Sequence, residues 1–297
     1  IRARACDRLA SLGLAISFGD HVEEIDEFVS TSAAHRAADL MAAFADPTVD
    51  GILTVIGGYN SNELLPLLDF DVIRSNPKVL CGYSDITALQ LAILGRAGVV
   101  TYSGPHFSTF GMEHHFDQTF DWFQQCVIHA DPFEIRPAAT WSDDAWFLDQ
   151  DARTIEPNPG WACLRAGHAA GRLIGGNLAT LGLLRGTEWW PALGGSILWL
   201  EDDLESPPWT FRRNLVALTQ LPDFRNVSGL VIGRMQRLSG VTASHLERIV
   251  DECIDLDIPV LAGVDVGHTD PMLTLPVGGA ARLDVAGDDA RFVITEH

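Results

Sequence analysis

Roughly the first 130 residues of the chain alternate short apolar runs with segments of helical periodicity. Residues 51–58 read GILTVIGG and residues 78–84 read KVLCGYS, and a helical pattern follows each run. Strands that are apolar on both faces and alternate with helices are typical of a mostly parallel sheet covered by helices on both sides. The pattern therefore predicts an α/β fold, in which ligands bind at the carboxyl ends of the strands.

The pattern changes after residue 133. Residues 134–166 are rich in Pro, Asp and Trp, and residues 167–297 read as β-rich with two helical segments. Near the C-terminus, apolar and polar residues alternate around glycine-containing turns, which is typical of an antiparallel hairpin. We therefore predict an N-terminal α/β domain (1–133), a linker (134–166) and a mixed, β-rich C-terminal domain (167–297).

The chain opens on a helical pattern, and residues 14–19 (LAISFG) predict a short strand. In an α/β fold a helix normally follows a strand, so the opening helix predicts a further strand before residue 1. No secretory signal pattern precedes the helix.

Composition excludes several classes of partner. A formal net charge of −20 disfavours a nucleic acid polymer, because phosphate-binding surfaces are built from clustered Lys and Arg. No apolar run approaches the roughly 18 residues that a membrane span needs. The five cysteines are scattered without CxxC spacing, which favours free thiols in a reducing compartment over disulfides or a zinc site. We expect a cytoplasmic protein without a metal or cofactor.

Three residue types used in catalysis stand where apolar runs end. Ser84 follows KVLCGY, Glu201 follows SILWL, and His268 follows PVLAGVDVG. A serine hydroxyl is a poor nucleophile unless an imidazole takes its proton, and an acid must hold that imidazole in the right tautomer. The three positions therefore predict a serine hydrolase, with the nucleophile in the first domain and the acid and base in the second.

Each residue also has a structural explanation. Ser84 or Asp85 can simply cap the following helix. Glu201 begins an acidic cluster of the kind that usually lies in a solvated loop, so a neighbouring acid remains an alternative. Asp265 and Asp270 flank His268 and could orient it instead, but no metal-binding spacing joins this Asp/His set.

Backbone amides near Ser84 are candidates for an oxyanion hole. The Gly57-Gly58 pair lets the backbone approach a ligand closely, so the Gly58 amide, with that of Asp85, is placed to bind an oxyanion. The alternative is a tight turn. Asn60 follows directly and either caps the next helix or contacts substrate.

Six stretches, in order, resemble the serine peptidases that include LD-carboxypeptidases and microcin C self-immunity proteins. They are GGYNSNELLPLLDF, KVLCGYSDIT, TYSGPHFSTFG, GRLIGGNLATL, ILWLEDDLE and GVDVGHTDPMLTLPVG. The resemblance implies that Ser84 is the nucleophile, Glu201 the triad acid and His268 the base. It also implies an active site between two domains, a homodimer, and one further strand before residue 1.

The GGYNSNELLP segment is similar to the microcin C immunity branch, which cleaves the amide joining an aspartyl group to a nucleotide-like moiety. Adenine binding needs an aromatic surface and polar groups. Trp146 or Trp161 could supply the surface, Asn177 matches a ligand-contacting position of the branch, and Arg212 could reach a phosphate or sulfamoyl group. The alternatives are an LD-carboxypeptidase that releases D-Ala from muropeptide tetrapeptides, and a non-catalytic binding protein with two lobes.

Overall fold

The structure, a computed structural model, describes residues 1–287 and 289–297. The α-helices are α1 (Arg2–Ser11), α2 (Ala33–Ala45), α3 (Phe70–Ser75), α4 (Thr87–Ala97), α5 (Asp117–Phe123), α6 (Leu178–Leu183), α7 (Pro208–Thr219) and α8 (Ala243–Cys253). Short 3₁₀ helices span Ser61–Leu67, Ser84–Ile86, Ser108–Gly111, Pro222–Asn226 and Arg237–Ser239, and a π-helical turn spans Gln124–Ile128.

The strands fall into three sheets. They are β1 (Gly51–Leu53), β2 (Val79–Gly82), β3 (Thr101–Ser103), β4 (Phe133–Ile135), β5 (Thr140–Trp141), β6 (Glu156–Pro157), β7 (Ala162–Arg165), β8 (Gly167–Asn177), β9 (Ile197–Glu201), β10 (Gly229–Gly233), β11 (Val260–Val264), β12 (Leu275–Val277), β13 (Ala280–Ala286) and β14 (Asp289–Glu296). The two-residue strands β5 and β6 pair only with each other.

A four-stranded sheet in the order β1-β2-β3-β12 carries the first candidate residue, Ser84, just beyond the end of β2. Its first three strands run parallel, and β12 closes the sheet in the antiparallel direction against β3. The apolar run that predicts β2 is buried here, because helix α4 packs beside it with most of its side chains inside the core.

An eight-stranded sheet has the strand order β4-β14-β13-β8-β9-β10-β11-β7. Strands β8 to β11 run parallel to one another, whereas β13, β14, β4 and β7 pair in the antiparallel direction. Strands β9 and β10, most of β11 and the second half of β8 are buried. This arrangement confirms the predicted mixed, β-rich second region and its C-terminal hairpin. Glu201 is the last residue of β9, and His268 follows β11.

One large hydrophobic core links the two sheets. It runs from the buried face of α2 through α4 and β8 to the C-terminal hairpin, with Trp199 of β9 fully buried inside it. A smaller cluster lies under α1, where Leu9 meets Phe110 and Phe116. The carboxyl ends of β2, β9 and β11 are therefore held by packed elements, which fixes the side chains that follow them.

The predicted strand at residues 14–19 is wrong, because this segment forms no strand in the structure. Leu14 and Phe18 stay 41% and 37% exposed, and no strand of the described residues pairs with the segment. An apolar run becomes a strand only where a neighbour accepts its backbone hydrogen bonds. Within the described part of the chain, no helix combines the length and apolarity that crossing a membrane would require.

Candidate active site

Ser84, Glu201 and His268 come together in a single hydrogen-bonded chain. Nε2 of His268 lies 3.0 Å from Oγ of Ser84, and Nδ1 of the same ring lies 2.7 Å from Oε2 of Glu201. The Glu201 carboxyl is 2% exposed, whereas the His268 side chain keeps 17% of its surface in solvent. An imidazole between a hydroxyl and a buried acid is the arrangement that nucleophilic hydrolysis needs.

Ser84 adopts a backbone conformation that few residues other than glycine tolerate. Its φ is 64°, and it opens the 3₁₀ turn Ser84–Ile86 directly after the extended Tyr83. A non-glycine residue in this region is strained, and such strain is commonly found at functional sites. The turn projects the hydroxyl away from the end of β2 towards His268.

Gly57 makes room for this turn. A Cβ atom at Gly57 would lie 3.0 Å from Cβ of Ser84 and 3.3 Å from its Oγ, closer than ordinary contact. Gly58, the predicted oxyanion-hole residue, has a φ of 132°, and a Cβ atom there would face the Asp85 carboxylate at 3.8 Å. The backbone at Gly57 and Gly58 therefore lies against the turn at Ser84. The sequence pattern predicts the same close approach towards a ligand.

Asp85 holds the loop that begins at Gly57 and Gly58, the glycine loop, against the turn at Ser84. Its Oδ2 accepts a hydrogen bond from the Ser61 amide at 2.7 Å, and the Ser61 hydroxyl donates to the Asp85 carbonyl at 2.5 Å. The Asp85 carboxylate therefore binds the loop and does not cap helix α4, which begins without a side-chain cap. The sequence marks Ser61, like Asn60, as a possible helix cap or substrate contact, but it does not predict this bond to Asp85, which joins residues 24 positions apart.

His106 supports Tyr83, the residue before Ser84. Its ring stacks on Tyr83 with centroids 4.0 Å apart, and its Nε2 lies 3.2 Å from the Tyr83 amide nitrogen and 3.1 Å from the Tyr83 carbonyl oxygen. Burial lowers the pKa of His106 to about 3, so the ring is neutral and its tautomer decides which bond forms. The sequence analysis did not single out His106, although it follows the end of β3 nearly as closely as Ser84 follows the end of β2.

The alternative acids are engaged elsewhere. Asp265 accepts hydrogen bonds from Arg234 and Asn158, and Asp270 forms a buried ion pair with Arg153 at 3.0 Å. Asp202, next to Glu201, pairs with Asn177 instead of His268. Among the acids that the sequence left open, Glu201 is the one that contacts the imidazole.

Glycines around Glu201 let the backbone pass close to its side chain. A Cβ atom at Gly267, whose φ is 106°, would lie 2.6 Å from Oε2 of Glu201, and one at Gly233 would lie 2.8 Å from its Cβ. Both distances are shorter than real carbon contacts, so only glycine fits. Gly267 directly precedes His268, and this crowding keeps the imidazole beside its carboxylate.

The charges around His268 favour its protonated form. Burial opposes the imidazolium, but the charge and hydrogen bond of Glu201, with smaller contributions from Asp203 and Asp202, raise the pKa of His268. A base whose pKa is raised in this way binds the serine proton more readily. The geometry and charge together equip the ring to take up a proton from Ser84.

Asp202 is a buried acid beside Glu201. Burial, with the charges of Glu201 and Asp203, raises the pKa of Asp202 to about 7. Its Oδ1 lies 3.3 Å from Nδ2 of Asn177, which also caps helix α6 by accepting from the Thr180 amide. Asn177 pairs with Glu201 across β8 and β9, so this predicted substrate contact lies next to Glu201.

The other predicted substrate residues are placed at different depths. Asn60 borders the glycine loop, where Arg36 donates to its side chain at 2.9 Å. Trp146 is partly buried against the smaller cluster and meets Phe147 edge to face, while Trp161 packs against the large core. Arg212 pairs with Glu252 of α8 at 2.5 Å, so its guanidinium is already engaged.

The linker carrying Trp146 is attached to the loop that carries His268. Ser142 and Asp270 form an isolated antiparallel bridge with two backbone hydrogen bonds of 2.8 Å. Arg153, whose side chain is 2% exposed, reaches Asp270 from the far side of the same linker loop. This places Trp146 on a loop anchored two residues from the imidazole.

Comparison with known proteins gives consistent matches over both regions. The profile of the LD-carboxypeptidase N-terminal domain matches residues 2–104, and that of the LD-carboxypeptidase C-terminal domain matches residues 170–283. The "Putative carboxypeptidase YocD" of Bacillus subtilis is 46% identical over 297 residues, which cover 100% of this chain and 91% of that protein.

Two further relatives carry more specific names. The microcin C7 self-immunity protein MccF of Escherichia coli is 32% identical over 305 residues, covering 99% of this chain and 88% of its own length. The murein tetrapeptide carboxypeptidase of Pseudomonas aeruginosa is 26% identical over 276 residues, with 92% of this chain and 84% of that protein covered.

Solved structures share the whole architecture. An MccF-like protein from Bacillus anthracis superimposes with a TM-score of 0.98 at 45% identity, covering 100% of this chain and 91% of that one. MccF in complex with aspartyl sulfamoyl adenosine superimposes with a TM-score of 0.87 at 31% identity, covering 99% and 90%. The chain therefore belongs to the LD-carboxypeptidase family of serine peptidases, as its motifs suggested.

Proposed function

We propose that this hydrolase uses Ser84, His268 and Glu201 as a catalytic triad to cleave the bond between an aminoacyl group and a nucleotide-like moiety. The observation that carries the proposal is the continuous hydrogen-bonded chain from the Ser84 hydroxyl to the buried Glu201 carboxylate. The strained turn at Ser84 supports the same role, since it presents the hydroxyl to the imidazole.

In the first half of the reaction, Nε2 of His268 takes the proton of Ser84 while Oγ forms a bond to the substrate carbonyl carbon. The tetrahedral intermediate collapses, the carbon–nitrogen bond breaks, and the imidazolium returns the proton to the leaving nitrogen. Water then attacks the acyl-enzyme with His268 again acting as base, which releases the free acid and restores Ser84. Glu201 keeps Nδ1 protonated and stabilises the imidazolium.

The negative oxygen of each intermediate needs hydrogen-bond donors. We assign this role to the backbone amides of Gly58 and Asp85, which border the serine from the glycine loop and from its own turn. The Asp85–Ser61 hydrogen bonds support this assignment, because they hold the two backbone segments in one geometry before substrate arrives.

The aminoacyl-nucleotide assignment rests on the relatives and on the linker. MccF has been solved with aspartyl sulfamoyl adenosine and with glutamyl sulfamoyl guanosine. Both tryptophans are partly buried, and Trp146 is the better candidate to stack on a base, since its loop is anchored beside His268. Asn177 and Asn60 are proposed to contact the aminoacyl part, and Arg212 becomes available only if its ion pair with Glu252 opens.

The direct test incubates the purified protein with aspartyl sulfamoyl adenosine and, separately, with a murein tetrapeptide, and follows product release by mass spectrometry. We expect release of aspartate from the first substrate and none from a matched Ser84→Ala variant. A fluorophosphonate probe should label Ser84 in the unmodified enzyme. If the probe leaves the protein unlabelled and neither substrate is cleaved, the protein is a binding protein and the triad role is wrong.

A second candidate is an LD-carboxypeptidase that releases D-Ala from muropeptide tetrapeptides. The observation that favours it is the similarity to the murein tetrapeptide carboxypeptidase of Pseudomonas aeruginosa. Both candidates use the same triad and differ in the group beyond the cleaved bond. A Trp146→Ala variant separates them, because loss of a stacking surface raises KM for the nucleotide substrate and leaves a peptide substrate unaffected.

The family resemblance also implies a homodimer. We propose this assembly for the present chain, and light scattering coupled to gel filtration measures it directly. A mass equal to one chain at micromolar concentration would contradict the dimer without affecting the proposed chemistry.

A further inference from the structure

A group of potential metal ligands lies outside the candidate active site, between helices α1 and α2. His21 and Glu24 belong to the irregular segment between the helices, and His35 stands in the first turn of α2. One ligand atom from each residue lies within 4.8 Å of the other two. We propose that His21, Glu24 and His35 form a surface binding site for Zn²⁺ or a similar divalent transition-metal ion.

The distances suit zinc after a small rearrangement of the side chains. Zinc bonds to imidazole nitrogen and carboxylate oxygen are about 2.0–2.2 Å long, so two ligand atoms on one tetrahedral ion lie roughly 3–4 Å apart. The two imidazole rings are already packed face to face, with centroids 4.0 Å apart and an interplanar angle of 25°. A shift of several tenths of an ångström in side chains that are partly exposed brings the three ligand atoms onto one ion.

Asp39 orients His21, the first of the three proposed ligands. Its Oδ1 lies 2.7 Å from Nδ1 of His21, and its Oδ2 accepts from the His21 amide at 3.0 Å. A carboxylate bound to one nitrogen of an imidazole fixes the tautomer and leaves the other nitrogen free for a metal. Asp39 and His35 are four residues apart on α2, so the ligand and this supporting acid lie on the same face of the helix.

Glu24 and His35 complete the group from opposite sides. Oε2 of Glu24 lies 2.7 Å from Nδ1 of His35 and accepts from the Thr31 hydroxyl at 2.6 Å. The side chains of Glu24 and His35 are 47% and 48% exposed, so an ion and a coordinating water can reach them. Two nitrogens and one oxygen from the protein leave a fourth tetrahedral position for water.

The site would attach an irregular segment to a helix that reaches the glycine loop. Arg36, next to His35, donates from Nε to the Thr31 carbonyl at 3.0 Å and from Nη1 to Oδ1 of Asn60 at 2.9 Å. Metal binding would therefore stabilise the segment before α2. The triad lies outside the group, and hydrolysis should proceed without the metal.

The test is a calorimetric titration with ZnCl₂ near pH 7.5. All variants carry His268→Ala, which removes the catalytic imidazole as a competing ligand. We expect one zinc per chain in this parent and at least tenfold weaker binding after His35→Ala or Asp39→Asn. The matched control is His168→Ala, which removes an exposed histidine paired with Asp284 at 2.6 Å and should leave the affinity unchanged.

Thermal unfolding provides a second readout. Saturating zinc should raise the melting temperature of the parent by a few degrees and that of the His35→Ala variant by much less. Equal zinc affinity in the His35→Ala and His168→Ala variants, or no saturable binding in the parent, would overturn the proposal. In the enzyme with an intact triad, His35→Ala should leave metal-free hydrolysis unchanged, and its circular dichroism spectrum reports whether it is folded.

Discussion

The two sheets hold their catalytic candidates in different ways. In the four-stranded sheet, Ser84 lies on a strained turn. The hydrogen bond between Asp85 and Ser61 and the stacking of His106 on Tyr83 support this turn. In the eight-stranded sheet, Glu201 is fixed by close packing against the backbone at Gly267 and Gly233. The position of Ser84 therefore depends on a polar network, and the position of Glu201 depends on glycines that leave room for its side chain.

This difference predicts different responses to mutation. A polar network can lose one hydrogen bond and keep the fold, because other contacts hold the turn in place. A close backbone approach tolerates no added atom, because displacing the backbone disturbs the buried strands on both sides. Changes around Ser84 should mainly affect rate, and changes around Glu201 should affect both rate and stability.

The largest effect is expected from Ser84→Ala, which removes the nucleophile and keeps the fold. We expect kcat to fall by at least about 10⁴ with an unchanged melting temperature. Steady-state kinetics with the cleaved substrate and a thermal melt measure the two quantities. Retention of full activity would show that Ser84 is not the nucleophile.

Glu201→Gln is expected to reduce kcat by roughly 10³ to 10⁴, because the neutral amide neither fixes the tautomer nor stabilises the imidazolium. The pH profile gives the sharper result. His268 must be neutral to act as base, so kcat/KM falls as pH drops through the pKa of His268, which Glu201 and its neighbours raise above 6.5. Removing the Glu201 charge leaves burial, which lowers the pKa, so the acidic limb should move to lower pH. An unmoved limb would exclude Glu201 as the group that sets this pKa.

Two glycine substitutions compare the sheets directly. Gly267→Ala places a Cβ 2.6 Å from Oε2 of Glu201, so we expect a loss of about 10² or more in kcat and a lower melting temperature. Gly57→Ala places its Cβ 3.0 Å from Cβ of Ser84, and a shift of a few tenths of an ångström should cost about tenfold in kcat with little change in stability.

Gly240→Ala is the control for the first glycine variant. Gly240 also has a positive φ, 70°, but a Cβ atom there would meet nothing within 4 Å. It therefore reports the backbone strain without the clash. If Gly240→Ala and Gly267→Ala lose stability equally, the close approach to Glu201 contributes nothing, and the contrast between the two sheets is lost.

The smallest effect concerns Asp202. Its pKa is raised from 3.8 to about 7, so the folded state holds a proton that the unfolded state has released. That stabilisation is complete below pH 3.8 and is lost as pH rises to about 7, by up to about 1.4 kcal/mol per pH unit. Asp202→Asn should flatten the fall in the free energy of unfolding between pH 5 and 8, measured by urea denaturation. The control variant Asp251→Asn, at an exposed position, should leave this fall in the free energy of unfolding unchanged.

The strands that carry the site could be predicted because their sequences are apolar throughout. KVLC, SILWL and PVLAGV each correspond to a buried strand, and Ser84, Glu201 and His268, which come at or after the ends of these strands, meet between the two sheets in one hydrogen-bonded chain. Contacts between distant segments could not be predicted, since nothing in the sequence links Ser61 to Asp85 or Gly233 to Glu201. The strand predicted at residues 14–19 is wrong for the same physical reason, because strand formation there depends on a pairing partner that local composition does not reveal.

Strand β12 has a consequence for the order in which the enzyme becomes active. The sheet that bears Ser84 takes its fourth strand from Leu275–Val277, a few residues beyond His268. During synthesis, therefore, the serine emerges long before its base and before its own sheet is complete. In the proposed triad, a nascent chain that displays only Ser84 lacks the base that activates it, so hydrolysis begins only after His268 and strand β12 have left the ribosome and β12 has paired with β3.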